Sequence, residues 1–184
     1  RQMCIRDSPY RVEELIDEGG FGDVYRARDL RGDRDVALKL LGPAWREHTG
    51  VASWFRSYAW EIAQDLRHLH LVRALATGTF EGRPLFSMPL LQGQTLTALL
   101  RPQEGLPLPR VLGILHDVCG AVAVLHARGI VHRDIRAGKV LMTAAGPQLL
   151  PSSVALRTSQ ASAPSGEVVG SPGAIAPEQL RSEP

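Results

Sequence analysis

The 184-residue chain is 44% hydrophobic and 22% charged, with a formal net charge of +2. That length suits one domain or slightly more with a true core, and the small charge leaves no footprint for nucleic acid or an anionic membrane. Its two cysteines, Cys4 and Cys119, provide neither a disulfide framework nor a zinc site and fit reduced thiols in a cytoplasmic protein. The longest apolar run, Val118 to Leu125, is broken by Gly120 and too short to cross a bilayer, so no membrane segment is expected.

Residues 1–8, "RQMCIRDS", have neither apolar periodicity nor the apolar core of a signal peptide. They resemble translated adapter read-through and are set outside the fold as a non-native leader. From Tyr10 the chain reads as short strands: "YRVEELID", then "DVYRARD" after a glycine turn, then the buried run "DVALKLL". Residues 52–69 carry Trp54, Phe55, Tyr58, Ile62 and Leu66 at mostly helical spacing. Two further strands are predicted in "LVRALATG" and "RPLFSMPLL", joined by a turn at Glu81 and Gly82.

Residues 102–109 read as a linker. After them Val111, Ile114, Leu115, Val118, Val122 and Leu125 recur at three and four, which predicts an amphipathic helix ended by Gly129. Short strands follow at Ile130–Val131 and Val140–Met142. From Pro151 to Pro172 the composition turns to Ser, Ala, Pro and Gly, predicting a mobile loop with solvated serines. His68, His70 and His126 lack metal-ligand spacing and read as structural or surface residues.

"IDEGGFGDVY" places glycines between two strands, where backbone N–H groups can approach phosphate oxygens; a plain tight turn has the same appearance. "VALK" then puts Lys39 in an apolar strand, where an ammonium needs an anionic partner unless it reaches solvent. Together with "HRD" at 132–134 and "APE" at 176–178, in this order and spacing, the chain resembles the eukaryotic-type protein kinase family, in its bacterial serine/threonine branch.

The resemblance runs from Tyr10 to Pro184 and implies an α+β, bilobal protein-kinase-like fold. Its N-lobe, 9–91, would hold five strands and one helix, and 92–184 would be an incomplete, mainly helical C-lobe cut short after the "APE" motif. Gly19, Gly20 and Gly22 would cover the phosphates of ATP, and Lys39 would pair with them. Val24, Ala37 and Leu141 would enclose the adenine, with Met88 at the gatekeeper position. Backbone groups of Pro89 and Leu91 would read the base, although Pro89 has no N–H.

Several positions depart from the family pattern. Asp17 replaces the first glycine. The glutamate that should position Lys39 falls at Ala59, with Glu61 two residues away and about 200° around a helix, unless a two-residue shortening restores it. Asp134 keeps the catalytic-base position and Arg136 keeps a cation beside it. Lys139, however, replaces the asparagine that holds a metal ion, and "PSS", beginning at Pro151, replaces "DFG". An ammonium has no lone pair and a proline side chain has no oxygen, so Mg2+ is not expected to bind in the family manner.

The leading expectation is a pseudokinase, a nucleotide-binding or regulatory module for an unidentified protein client. An active serine/threonine kinase with an unorthodox metal site and a truncated, non-functional gene product remain as alternatives.

Overall fold

The computed structural model describes residues 3–4, 9–45, 55, 66–100, 105–157, 171, 173–177 and 181. It divides into two compact units, Arg1–Asp65 with Arg73–Leu91, and Leu66–Val72 with Gln92–Pro184. Residues 66–72, assigned to the first lobe from sequence, therefore group with the second unit.

The first unit is built on an antiparallel sheet of β1 (Met3–Cys4), β2 (Tyr10–Asp17), β3 (Gly22–Asp29), β4 (Arg34–Leu41), β5 (Ala76–Phe80) and β6 (Arg83–Pro89), in the order β1-β2-β3-β4-β6-β5. Four of these are the predicted strands, and β5 overlaps the fifth only from Ala76. The sixth is a correction: Met3 and Cys4, set outside the fold, pair with Val12 and Arg11 at the sheet edge. An open edge offers backbone groups to any extended segment, so this pairing has no side-chain signature.

β4 lies inside the sheet and is buried from Val36 to Leu41, as its continuous apolar run predicts. Register and the period of two sort its side chains between faces. Leu38 and Leu40 join Tyr10, Ala27, Val36 and Leu85 in the hydrophobic core, where the Tyr10 hydroxyl lies 2.8 Å from Ser87 Oγ. Ala37 and Lys39 alternate with these residues. Val24 and Phe86 stand opposite Lys39, and Met88 stands opposite Ala37. The Phe86 ring packs on Phe55 at a centroid distance of 5.2 Å. Residues 52–54 and 56–65 of the expected helix, including Glu61, lie outside the described residues, whereas 66–69, also expected to be helical, are irregular, because the apolar Leu66 reports burial and not helix.

The strand predicted over 71–78 is displaced. Leu71 instead bridges Leu149 in parallel, Val72 N–H donates to Leu149 O, and β5 begins only at Ala76. Leu71, Val72 and Ala74 are buried, and an apolar run reports burial without naming its pairing partner.

The second unit contains the helix Leu108–His126, with Ile114, Val118, Ala121 and Leu125 buried and the sheet strands at Ile130–Val131 and Gly146–Leu149 packed against it. It starts within the expected linker, because Pro109 in a first helical turn lacks only an N–H that has no helical acceptor. Gly129, at φ 67, turns the chain after its end. By length and composition alone this helix would reach across a membrane, a test that the core helix of a folded domain also passes.

Here β7 (Gln94–Thr95), β9 (Val140–Thr143) and β10 (Gly146–Leu149) form a sheet in the order β10-β9-β7. β8 (Ile130–Val131) pairs with β11 (Leu156–Arg157). Neither β7 nor the helical turn Leu96–Leu99 was expected. A larger correction concerns the predicted mobile loop: Pro151 to Ala155 are buried, Ser152 and Ser153 included, and Leu156–Arg157 pairs as a strand. Small side chains suit a crowded interior as well as a loop, and Ser152 Oγ satisfies itself by accepting from Val154 N–H at 3.1 Å. The serines beyond 157 and up to 170 lie outside the described residues.

The histidines serve the fold. His70 Nδ1 lies 2.8 Å from Pro147 O, and His126 is exposed. His132 is fully buried, with Nε2 2.9 Å from Leu150 O and Nδ1 accepting from Asp134 N–H at 3.3 Å. These partners require a neutral ring carrying its proton on Nε2.

Two outcomes follow from this packing. Gly22 sits at φ 138, where a Cβ would overlap the Leu40 carbonyl and stand 2.8 Å from Gly42 N. Gly22→Ala is expected to lower stability by about 2 kcal/mol or more in urea unfolding. Burial, with a smaller contribution from Lys139, holds the His132 imidazole down at about 4 from 6.5, against opposing effects of Leu150 and Asp134. Between those values the unfolded chain binds a proton that the folded chain refuses. Stability should therefore fall as pH drops from 6.5 to 4, by up to about 3 kcal/mol, and level off below. Urea titrations across that window should show the slope, and His132→Gln should flatten it.

Candidate functional site

In the first unit, pairing of β2 with β3 runs as far as Asp17 opposite Val24, leaving residues 18–21 as the loop. Gly22 N–H closes it on Gly19 O at 2.9 Å. Gly19 and Gly20 are exposed, and so is Asp17, whose carboxylate remains solvated. Val24, Ala37, Lys39 and Met88 are all buried, and strand register puts them on one face of the sheet. Four expected nucleotide contacts are thus brought together by the sheet alone. Lys39 is only 6% exposed. Leu91 is partly buried at the end of the unit, and Pro89 closes β6.

In the second unit the chain leaves β8 through His132, turns at Arg133 with φ 60, and buries Asp134. A left-handed turn at a non-glycine residue is uncommon, and here it allows both flanking side chains to be buried. Arg133 itself is half-buried, and burial lowers its guanidinium from the usual value. The Asp134 carboxylate is engaged at both oxygens. Arg136 Nε–H donates to Oδ1 at 3.1 Å, and Lys139 Nζ lies 3.5 Å from Oδ2. Lys139 is itself largely enclosed, with 14% of its side chain exposed against 44% for Arg136.

Backbone pairing fixes the two expected metal positions beside each other: Leu150 N–H donates to Lys139 O at 2.8 Å, and Pro151 comes next. One position thus presents an ammonium and the other a buried proline. Neither supplies the oxygen donors that Mg2+ requires, so the residues present do not fit that ion. Among the described residues, no three His, Cys, Asp or Glu side chains cluster closely enough to hold a metal. Leu141, in β9 between Thr95 and Gln148, is partly buried.

Sequence reasoning located Lys139 but missed what it touches. A five-residue separation in an irregular segment has no fixed geometry, so the ion pair had no periodic signal. It also missed Trp45, whose indole Nε1–H donates to Gly20 O at 2.7 Å. Nothing local in "GPAW" announces a contact with the glycine loop 25 residues earlier.

The model of the protein kinase domain matches residues 10–184. Over 182 residues, 98% of this chain, the sequence is 31% identical to serine/threonine-protein kinase PknL of Mycobacterium tuberculosis. It is 30% identical over 181 residues to serine/threonine-protein kinase PknD of the same organism. The chain spans less than half the length of these curated relatives, 45% of PknL and 27% of PknD. The crystal structure of the M. tuberculosis PknI kinase domain superposes with a TM-score of 0.78 at 26% identity, covering 99% of this chain and 68% of that one. The two units thus carry a protein-kinase fold similar to that of mycobacterial serine/threonine kinases, and the chain belongs to the protein kinase family.

Proposed function

We propose that this chain is a nucleotide-binding, regulatory member of the protein kinase family in which phosphoryl transfer is impaired. The observation that carries the reading is the Lys139 ammonium 3.5 Å from Asp134 Oδ2, with Arg136 on the other oxygen. A residue that orients a substrate hydroxyl needs a carboxylate oxygen directed at it. Both oxygens of Asp134 have cationic partners instead, in a buried setting where separating charges is expensive.

The ion pair adds to the loss of metal ligands. Charge neutralisation by bound metal contributes several kcal/mol to phosphoryl-transfer transition states, and each 1.36 kcal/mol is about tenfold in rate. Loss of both ligand positions, Lys139 and Pro151, should lower transfer on the order of a thousandfold or more. Ground-state binding of ATP is a separate matter. Glycines at 19, 20 and 22, the buried Lys39, and the apolar Val24, Ala37 and Met88 support it, and none depends on the metal positions. A protein client is the corresponding partner for a module that binds without turnover.

The second reading, an active serine/threonine kinase with an unorthodox site, is favoured by retention of Asp134 and by the kinase names of its relatives. Titration of a fluorescent ATP analogue, with magnesium and then with chelator, separates the two. The affinity should change less than about tenfold, or 1.4 kcal/mol, on adding magnesium. Lys39→Ala should weaken binding more than Asp134→Ala, since only the former is expected to meet phosphate in the ground state. A larger gain with magnesium, or no binding at all, refutes the proposal.

A further inference from the structure

Trp45 ends the short 3-10 turn Pro43–Trp45 that follows β4. Its ring stacks on Phe21, with centroids 4.9 Å apart and planes inclined by 27°. Its indole N–H donates to Gly20 O at 2.7 Å. The same segment adds a backbone bond from Gly42 N–H to Phe21 O at 3.1 Å, while Trp45 N–H donates to Gly42 O at 3.0 Å. Both apex residues of the glycine loop are therefore fastened to the chain just after the Lys39 strand.

We propose that Trp45 is a positioning residue that latches the glycine loop into one closed arrangement before any nucleotide arrives. Its consequence for affinity rests on the nucleotide-binding reading; the latch itself does not. A loop containing Gly19, Gly20 and Gly22 has much conformational freedom to lose, and a ligand that had to order it would bind less tightly. Ordering the loop in advance removes that loss from the binding step. The indole combines a stacking face with an N–H donor. Phenylalanine retains only the first, and alanine neither.

Amide hydrogen exchange on the unliganded 184-residue chain tests the latch without nucleotide. Trp45→Ala should speed exchange at Gly22 and Gly42, whose N–H groups bond Gly19 O and Phe21 O, by about tenfold or more, with a smaller effect in Trp45→Phe and no change in the centre of β4. Phe21→Ala, approaching from the other side of the stack, should loosen the same loop, and the double variant should do little more than either single one. Unchanged loop exchange in Trp45→Ala and Phe21→Ala, or fully additive effects, overturns the latch. Where the loop loosens, the ATP-analogue Kd of Trp45→Ala should rise about tenfold, and an unchanged Kd overturns the positioning role. If the loop loosens but the unmodified chain binds no nucleotide, the latch stands and the nucleotide-binding reading falls.

Discussion

A carboxylate taken out of water must be paired, and the arrangement of the second unit's loop follows from how Asp134 meets that requirement. With only 8% of its side chain exposed, it is held by Arg136 on one oxygen and Lys139 on the other. His132, equally enclosed, contributes no charge, because its Nδ1 accepts the Asp134 amide and its Nε2 proton goes to Leu150. The Lys139 carbonyl receives the Leu150 N–H, so one short segment is gripped from both sides. Lys139 thus has two structural tasks, a backbone bond and an ion pair. Its side chain points its charge at the group that an oxygen ligand would have left free.

The first unit obeys a different constraint. β4 is covered on both faces, so each of its side chains must suit an interior, and Lys39 is the exception in an apolar run. The register that makes Leu38 and Leu40 core residues also puts Ala37 and Lys39 on the same side as Val24 and Met88. This half of the expected site is a by-product of sheet packing. Residues tied to the hydrophobic core follow the family pattern, whereas Lys139 and Pro151, at the positions expected to hold metal, depart from it.

What could be read from sequence follows the same division. The strands at 34–41 and 83–89 and the helix through Val118 were legible because burial imposes a period or an unbroken apolar run. The four kinase motifs were legible because their spacing is set by those elements. Pro151 to Ala155 was misread because small residues occur in crowded interiors as well as in loops. Leu71 and Val72 were given to the wrong unit because hydrophobicity carries no information about pairing partners. The Lys139–Asp134 and Trp45–Gly20 contacts were invisible, since both join irregular segments whose side-chain directions depend on the finished fold.

The protein-kinase fold is kept, and the proposed impairment of its metal-dependent chemistry can be measured. The most direct measurement is single-turnover release or transfer of the γ-phosphate of ATP by the unmodified chain at saturating magnesium, read both as autophosphorylation and as hydrolysis. Transfer is expected to be slower than that of an ordinary protein kinase by about a thousandfold or more. A rate of roughly 1–100 per second, ordinary for protein kinases, would contradict it.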